Sequence, residues 1–172
     1  MISTRGRYAI RVLLDLAEHR NGEYIPMKEV ASRQDISLKY IERIMPLLTK
    51  SHLVEGIHGK GGGYRLCRDP QDCTVGEILR LTEIDLAPVS CLGHDAPPCT
   101  RAADCRTLPM WKEYYAMTNA YFDGITLASL MQPEMPDNNA PVDYPSAEAD
   151  PVIWDNSVAA SPADELNGRF EA

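Results

Sequence analysis

The most restrictive feature of this 172-residue sequence is a glycine cluster between two short apolar segments. Four of the five residues from 59 to 63 are glycine, and Lys60 interrupts them. The flanking segments, 53–55 and 64–66, read Leu-Val-Glu and Tyr-Arg-Leu and have the composition of short β-strands. A tip this rich in glycine favours an open, mobile hairpin over a tightly packed turn.

Two helical patterns begin the chain. The first has apolar residues at helical spacing from Tyr8 to Ala17, and Ser3 or Thr4 can cap its start. The second starts at Pro26, a residue that suits the first turn of a helix because its missing N–H would have no partner there. Both patterns predict amphipathic helices with one face in a shared core.

A third helical pattern follows and leads into the hairpin. Ser37 is a good N-cap, and the core face consists of Ile41, Ile44 and Leu48. Pro46 lies inside this pattern and removes a hydrogen bond, so we expect a kink or an interruption there. Three short helices and a glycine-tipped hairpin form the pattern of a winged helix-turn-helix domain. The expected fold is therefore mainly α, with a small β-wing.

The first turns of the third helix are the candidates for reading DNA bases in the major groove. An acid such as Glu42 repels phosphate but accepts a hydrogen bond from the cytosine amino group; a solvated Glu–Arg surface is the alternative interpretation. On the wing, basic side chains would reach the DNA backbone or the minor groove. The candidate DNA contacts are Ser37, Leu38, Lys39, Tyr40, Glu42, Arg43, His58, Lys60 and Arg65.

The charge distribution supports a basic module followed by an acidic tail. The formal net charge of −8 would by itself argue against a nucleic-acid partner. Residues 1–65, however, carry 11 Lys and Arg against 7 Asp and Glu, whereas residues 133–172 carry 1 against 9. The tail also holds six prolines and has no helical or strand period, so we expect it to be disordered. Its expected role is solubility, with phosphate mimicry as the alternative.

Three cysteines occupy a segment with little secondary-structure signal. Cys91, Cys99 and Cys105 have the spacing C-x7-C-x5-C. Zinc hairpins usually bring their ligands in close C-x2-C pairs, whereas wider gaps can wrap an iron–sulfur cluster. The spacing alone favours an iron–sulfur cluster, and a zinc site or redox-active thiols are the alternatives. Cys67 and Cys73 lie outside this segment, and we expect both to be structural.

A long helix is expected from about Leu108 to Met131. Its apolar and aromatic residues are too many for one narrow seam, and a homodimer interface would cover them. The predicted organisation is a winged helix-turn-helix DNA-binding domain (1–83), a cysteine loop (84–107), a dimerisation helix (108–132) and a disordered acidic, proline-rich tail (133–172).

Catalysis and membrane insertion are not indicated. The four histidines have no recurring relation to the cysteines, so thiol catalysis has no support. No apolar run approaches the roughly 18 residues of a membrane span. No secretory segment follows Met1. We therefore expect a soluble cytoplasmic protein that is not an enzyme.

Six motifs occur in order along residues 1–132. They are Thr4-Arg-Gly-Arg-Tyr8-Ala9, Ser37-x-x-Tyr40-x-Glu42, Gly59-Lys60-Gly61-Gly62-Gly63-Tyr64, Val75-Gly76-Glu77-Ile78, the three-cysteine loop and Ile125-Thr126-Leu127-Ala128. Together they resemble the IscR-like iron–sulfur cluster-sensing regulators of the Rrf family. The resemblance implies a homodimeric transcription factor that binds an operator in double-stranded DNA. It also implies that a 2Fe–2S or 4Fe–4S cluster controls the DNA affinity. The alternatives are a thiol- or zinc-based transcriptional regulator without a cluster and a cluster carrier without specific DNA binding.

The resemblance further implies the cluster ligands. The three loop cysteines fall where the family has its cluster thiolates, with a first gap of seven residues where five is common. Some family members take a fourth ligand from an acid on the first helix, where this chain has Arg7. His94 is our candidate for the fourth ligand. It lies three residues after Cys91, and a neutral imidazole can bind iron. Asp95, Asp104 or an exogenous ligand are the alternatives.

Overall fold

The computed structural model describes residues 2–59, 61–83 and 85–132. Over these residues the fold is mainly helical with one two-stranded antiparallel sheet, as the sequence predicts. The elements are α1 (Thr4–Glu18), α2 (Met27–Gln34), α3 (Leu38–Lys50), β1 (Val54–Ile57), β2 (Gly63–Leu66), α4 (Val75–Thr82), α5 (Leu108–Asp123) and α6 (Leu127–Leu130). The predicted tail, 133–172, lies outside the described residues.

The core forms where α1 packs against α2, α3, α4 and the short α6. The apolar face predicted for α1 is confirmed. Its residues Val12, Leu13, Leu16 and Ala17 are buried, and Tyr8 is half-buried. Each fully buried aliphatic side chain stabilises the fold by about 1.5–3 kcal/mol. The largest of them are Val12, Leu13, Leu16, Val30, Ile41, Ile44, Met45, Leu48, Leu53, Ile78, Leu79 and Leu127.

The turn between α2 and α3 follows the expected helix-turn-helix geometry. Asp35 ends α2 in the left-handed conformation, with φ of 51°. Ser37 then caps α3 by accepting a hydrogen bond from the Tyr40 N–H. The interruption expected at Pro46 does not occur, since α3 runs through it to Lys50. Pro46 and the residue four positions earlier both lie on the exposed face, where water can satisfy the carbonyl that loses its partner.

The wing is anchored at its base and turns on glycines at its tip. β1 and β2 pair from Val54 opposite Leu66 to Ile57 opposite Gly63. Ile25 adds a bridge by exchanging two backbone hydrogen bonds with Tyr64, each 2.9 Å long. A Cβ on Gly63 would stand 2.4 Å from the Ile25 carbonyl oxygen, so only glycine permits this close approach.

The long helix expected to reach Met131 is wrong in its extent. α5 ends at Asp123, because Gly124 caps it and Thr126 starts α6 with a reciprocal Thr126–Ser129 capping box. The chain then returns to the core, where Leu127 is completely buried and its N–H donates to the Cys73 carbonyl. None of the described helices has the length and apolarity needed to cross a lipid bilayer.

Candidate DNA-binding surface and cysteine loop

The start of α3 presents a charged face to solvent. Lys39, Glu42 and Arg43 are exposed, as base or phosphate contacts must be. Ser37 is also exposed, but its hydroxyl oxygen accepts the Tyr40 N–H at 3.3 Å, so it serves the helix as a cap. Leu38 is half-buried and packs against the core. The exposed face therefore consists of one acid between two bases.

An aromatic contact joins α3 to α1 at the edge of this face. The rings of Tyr8 and Tyr40 lie 5.2 Å apart in an edge-to-face arrangement. The Arg11 guanidinium also lies over the Tyr8 ring, 5.5 Å from its centroid, and donates to the side-chain and backbone oxygens of Gln34. The position of Tyr40 is therefore set by α1 as well as by α3.

A buried carboxylate holds α2 against α1. Asp15 is fully buried, and its oxygens accept hydrogen bonds from Arg33 Nη2 at 2.6 Å, Arg33 Nε at 3.0 Å and Gln34 Nε2 at 3.1 Å. Gln34 is the last residue of α2 before the turn, so this network fixes the geometry of the helix-turn-helix unit. Sequence reasoning missed it, although an acid on the apolar face of the first helix was a visible signal.

The wing residues have different surroundings. His58 is exposed beside the glycine tip, and Lys60 lies outside the described residues. Arg65 is held at the base of the wing: its Nε donates to Glu55 at 2.6 Å and its Nη1 to the Gly22 carbonyl at 3.1 Å. Its guanidinium also lies over the Tyr24 ring at 4.5 Å. Arg65 therefore fixes the wing to the domain and directs its donors to protein groups.

The cysteine loop joins α4 to α5 and keeps its thiols near the surface. Cys91 and Cys99 are exposed, and Cys105 is partly buried. Among residues 2–59, 61–83 and 85–132, no three His, Cys, Asp or Glu side chains lie together as a metal site requires. The donor set suits an iron–sulfur cluster in its chemistry, since it offers three soft thiols. To hold an iron–sulfur cluster, the loop must adopt a conformation in which the three thiols lie close together.

The thiols of the chain differ in acidity. Hydrogen bonds from the Thr107 hydroxyl and backbone N–H lower the pKa of Cys105, which favours the thiolate that binds metal. Burial raises the pKa of Cys73, which is enclosed in the core. Partial desolvation by neighbouring groups also raises the pKa of Cys67, although Cys67 is exposed. The lowered pKa prepares Cys105 to act as a ligand, whereas Cys73, enclosed in the core, is structural.

Asp85 organises the first half of the loop. Its oxygens accept hydrogen bonds from the backbone N–H of Ala87 at 2.8 Å and of His94 at 2.9 Å, and the Tyr115 hydroxyl of α5 lies 3.5 Å away. The His94 side chain is exposed. Asp85 thus links the cysteine segment to α5, a contact that spacing in the sequence gave no means of finding.

Comparison with known proteins gives consistent matches. Residues 2–133 match the Rrf2 family, described as "Iron-dependent Transcriptional regulator". The "HTH-type transcriptional regulator IscR" of Photobacterium profundum is 32% identical over 160 residues, which cover 93% of this chain and 88% of that relative. These relatives are transcriptional regulators and not enzymes, in agreement with the sequence-based expectation.

Solved structures give the same result. T. potens IscR shares 30% identity with a TM-score of 0.58, over 76% of this chain and 85% of that one. CymR (YrzC), described as the global cysteine regulator of B. subtilis, shares 29% identity with a TM-score of 0.61, over 76% and 95%. With its winged fold, its exposed α3 face and a family match over three quarters of its length, the chain belongs to the Rrf2 family of transcriptional regulators.

Proposed function

We propose that this chain is a homodimeric regulator that binds an operator in double-stranded DNA and whose DNA affinity is set by an iron–sulfur cluster. The observation that carries the DNA-binding part is the exposed Lys39–Glu42–Arg43 face on a Ser-capped helix beside a wing. Side chains on the first turns of such a helix reach base edges in the major groove. A DNA-binding regulator acts where the chromosome lies, so we expect the protein in the cytoplasm.

The cysteine loop is the proposed cluster site. Cys91, Cys99 and Cys105 would supply three thiolates, with His94 as the proposed fourth ligand. The cluster would contribute a centre that responds to oxidation, to nitric oxide or to cluster supply. The support is the three-thiol donor set, the favoured thiolate at Cys105 and the similarity to proteins named IscR.

The position of the loop suits it to control DNA binding. It joins α4 of the DNA-binding domain to α5, and the Asp85 hydrogen bonds tie it to both its own backbone and Tyr115. A ligand changes DNA affinity only if it interacts differently with two conformations of the protein. A loop that closes on a cluster would shift α5 relative to α4. In a dimer, that shift changes the spacing of the two α3 helices.

Anaerobic purification with a visible spectrum and an iron and sulfide assay tests the cluster. Replacing any one of Cys91, Cys99 or Cys105 by Ala should abolish the visible absorption. Cys67→Ala is the matched control, because this exposed thiol lies outside the loop. A colourless wild-type protein with iron and sulfide below one equivalent each would contradict the cluster.

A thiol-based regulator without a cluster is the second candidate. The observation that favours it is that the loop thiols are exposed and not drawn together among the described residues. The similarity to CymR, described as a cysteine regulator, points the same way. This candidate predicts a colourless protein that binds its operator and loses or gains affinity when Cys105 is oxidised or alkylated.

The α5 surface is the proposed dimer interface. None of its residues is buried, and Met110 and Tyr114, one turn apart, are 51% and 50% exposed. A second copy of the helix would cover them, as a symmetric interface requires. Light scattering should therefore report a dimer that Tyr114→Glu dissociates, while Lys112→Ala, on the same helix, leaves it intact.

A further inference from the structure

The first three turns of α1 are basic and carry no acid. Arg5, Arg7 and Arg11 are exposed, and Asp15, the first acid of the helix, is buried against Arg33. Three positive charges in this short stretch repel each other. Such a cluster is stabilised when a polyanion lies alongside it.

The same part of α1 lies beside the proposed DNA-reading helix. Tyr8 packs edge-to-face on Tyr40, the third residue of α3. At about 100° per residue, Arg5 lies about 60° around the helix from Tyr8 on one side and Arg7 about 100° on the other, so the two arginines flank Tyr8. The start of α1 therefore borders the start of α3, the end that would enter the major groove.

The three arginines differ in the protein groups that their side chains contact. Arg11 lies over Tyr8 and donates to Gln34, so its donors are directed to protein groups. Arg7 donates to the Thr4 hydroxyl at 3.3 Å. Over the described part of the chain, neither Arg5 nor Arg7 forms an ion pair. Their charges are therefore available to a partner.

The backbone at the start of α1 does not offer a competing anion site. The Ser3 N–H and hydroxyl both donate to Glu83 Oε1, at 3.0 and 2.8 Å, and the Gly6 N–H donates to the Ser3 hydroxyl oxygen at 3.2 Å. The carboxylate of Glu83 already occupies the position that an anion would take. Contacts to an outside anion must come from the arginine side chains.

We infer that Arg5 and Arg7 form a phosphate-binding ledge that extends the DNA interface from α3 onto α1. The partner is the sugar–phosphate backbone bordering the groove that α3 enters. Guanidinium groups suit this role because their planar fork donates two hydrogen bonds to one phosphate. The inference rests on the proposed DNA-binding function and adds contacts that carry no sequence information.

The salt dependence of DNA binding tests the ledge. The probes are a duplex recovered by selection from random DNA and a random-sequence duplex, each titrated with the full chain at several salt concentrations. Each of Arg5→Gln and Arg7→Gln should reduce the slope of log affinity against log salt by about 1, and the double variant by about 2. Affinity should fall by the same factor on both duplexes, because phosphates are common to them.

Arg20→Gln is the matched control. It removes the same charge but lies beyond the other end of α1, about 22 Å along a helix of this length, where it pairs with Asp69. Arg7→Lys keeps the charge and should keep the slope. Unchanged circular dichroism of each variant should show that the fold is intact, since both arginines are exposed.

The outcomes separate the two proposals. A wild-type protein that binds neither duplex contradicts the DNA-binding function. If the wild-type protein binds DNA but Arg5→Gln and Arg7→Gln change the salt slope no more than Arg20→Gln does, the ledge alone is contradicted. A loss confined to the selected duplex also contradicts it, because it would assign Arg5 or Arg7 to base reading.

Discussion

Replacing Asp15 by Asn should destabilise the domain strongly. Asn keeps the volume of the side chain but loses its charge, and turns an amide donor towards the donors of Arg33 and Gln34. Breaking a buried ion pair costs about 3–5 kcal/mol. The Arg33 side chain is 30% exposed and can be partly rehydrated, which favours the lower end. We expect a loss of about 3 kcal/mol, a large part of the total stability of a typical domain.

Urea unfolding of the full chain, followed by circular dichroism, measures this loss. Asp69→Asn is the matched control, because the same change is made at an exposed ion pair with Arg20. It should have a much smaller effect, since solvent screens such pairs. If both variants lowered the unfolding free energy equally, Asp15 would not have the role that its burial and its side-chain donors from Arg33 and Gln34 assign to it.

Three further predictions address the base-reading residue, the end of the fold and the loop thiol. Glu42→Ala should relax sequence preference in selection from random DNA; an unchanged preferred sequence would remove its base-reading role. Leu127→Ala should lower the unfolding free energy in urea by about 3 kcal/mol, whereas truncation after Gln132 should not, and a stable Leu127→Ala variant would place α6 outside the core. In cluster-free protein, alkylation measured by peptide mass spectrometry should reach half its maximal rate at lower pH for Cys105 than for Cys67. The lowered pKa of Cys105 and the raised pKa of Cys67 set this order, and the opposite order would contradict it.

Features that depend on neighbouring residues were predictable from the sequence. The caps at Ser3 and Ser37 each accept a backbone N–H within three residues, and both are observed. The core face of α3 was also predictable, because the 3.6-residue period alone fixes which side chains are buried.

Features that depend on distant contacts were not predictable. The interruption expected as one outcome at Pro46 does not occur, because the helix can lose one hydrogen bond on its solvent side while its other face stays buried. The end of α5 at Gly124 depends on the return of Leu127 to the core formed by α1 and α4. The spacing of apolar residues along the sequence does not reveal such a return, so the sequence predicted one helix where the structure has α5 and α6.

The candidate functional site also has features that were predictable from the sequence and features that were not. Exposed Lys39 and Arg43 follow from the face of α3 opposite its apolar residues. The hydrogen bonds of Arg65, expected to bring positive charge to the DNA from the wing, run to Glu55 and Gly22, because strand pairing brings Glu55 opposite it. Its contact with DNA stays a prediction. The spacing of the cysteines identifies a loop rich in thiols but contains no information on how far apart the sulfur atoms lie.

Glu83 makes the start of α1 and the cysteine loop thermodynamically dependent on each other. It is the last residue before the loop, and its carboxylate receives both donors of Ser3 at the first turn of α1. A loop conformation that withdraws this carboxylate leaves the Ser3 N–H and hydroxyl without this acceptor. The cap that Ser3 forms with the Gly6 N–H is then held less firmly, and the amides of the first turn should exchange with solvent more rapidly. The same linkage runs in reverse, since whatever steadies the first turn of α1 also favours the loop conformation that keeps Glu83 in place. Hydrogen exchange at the amino terminus thereby becomes a local report on the state of a loop more than eighty residues away in the sequence.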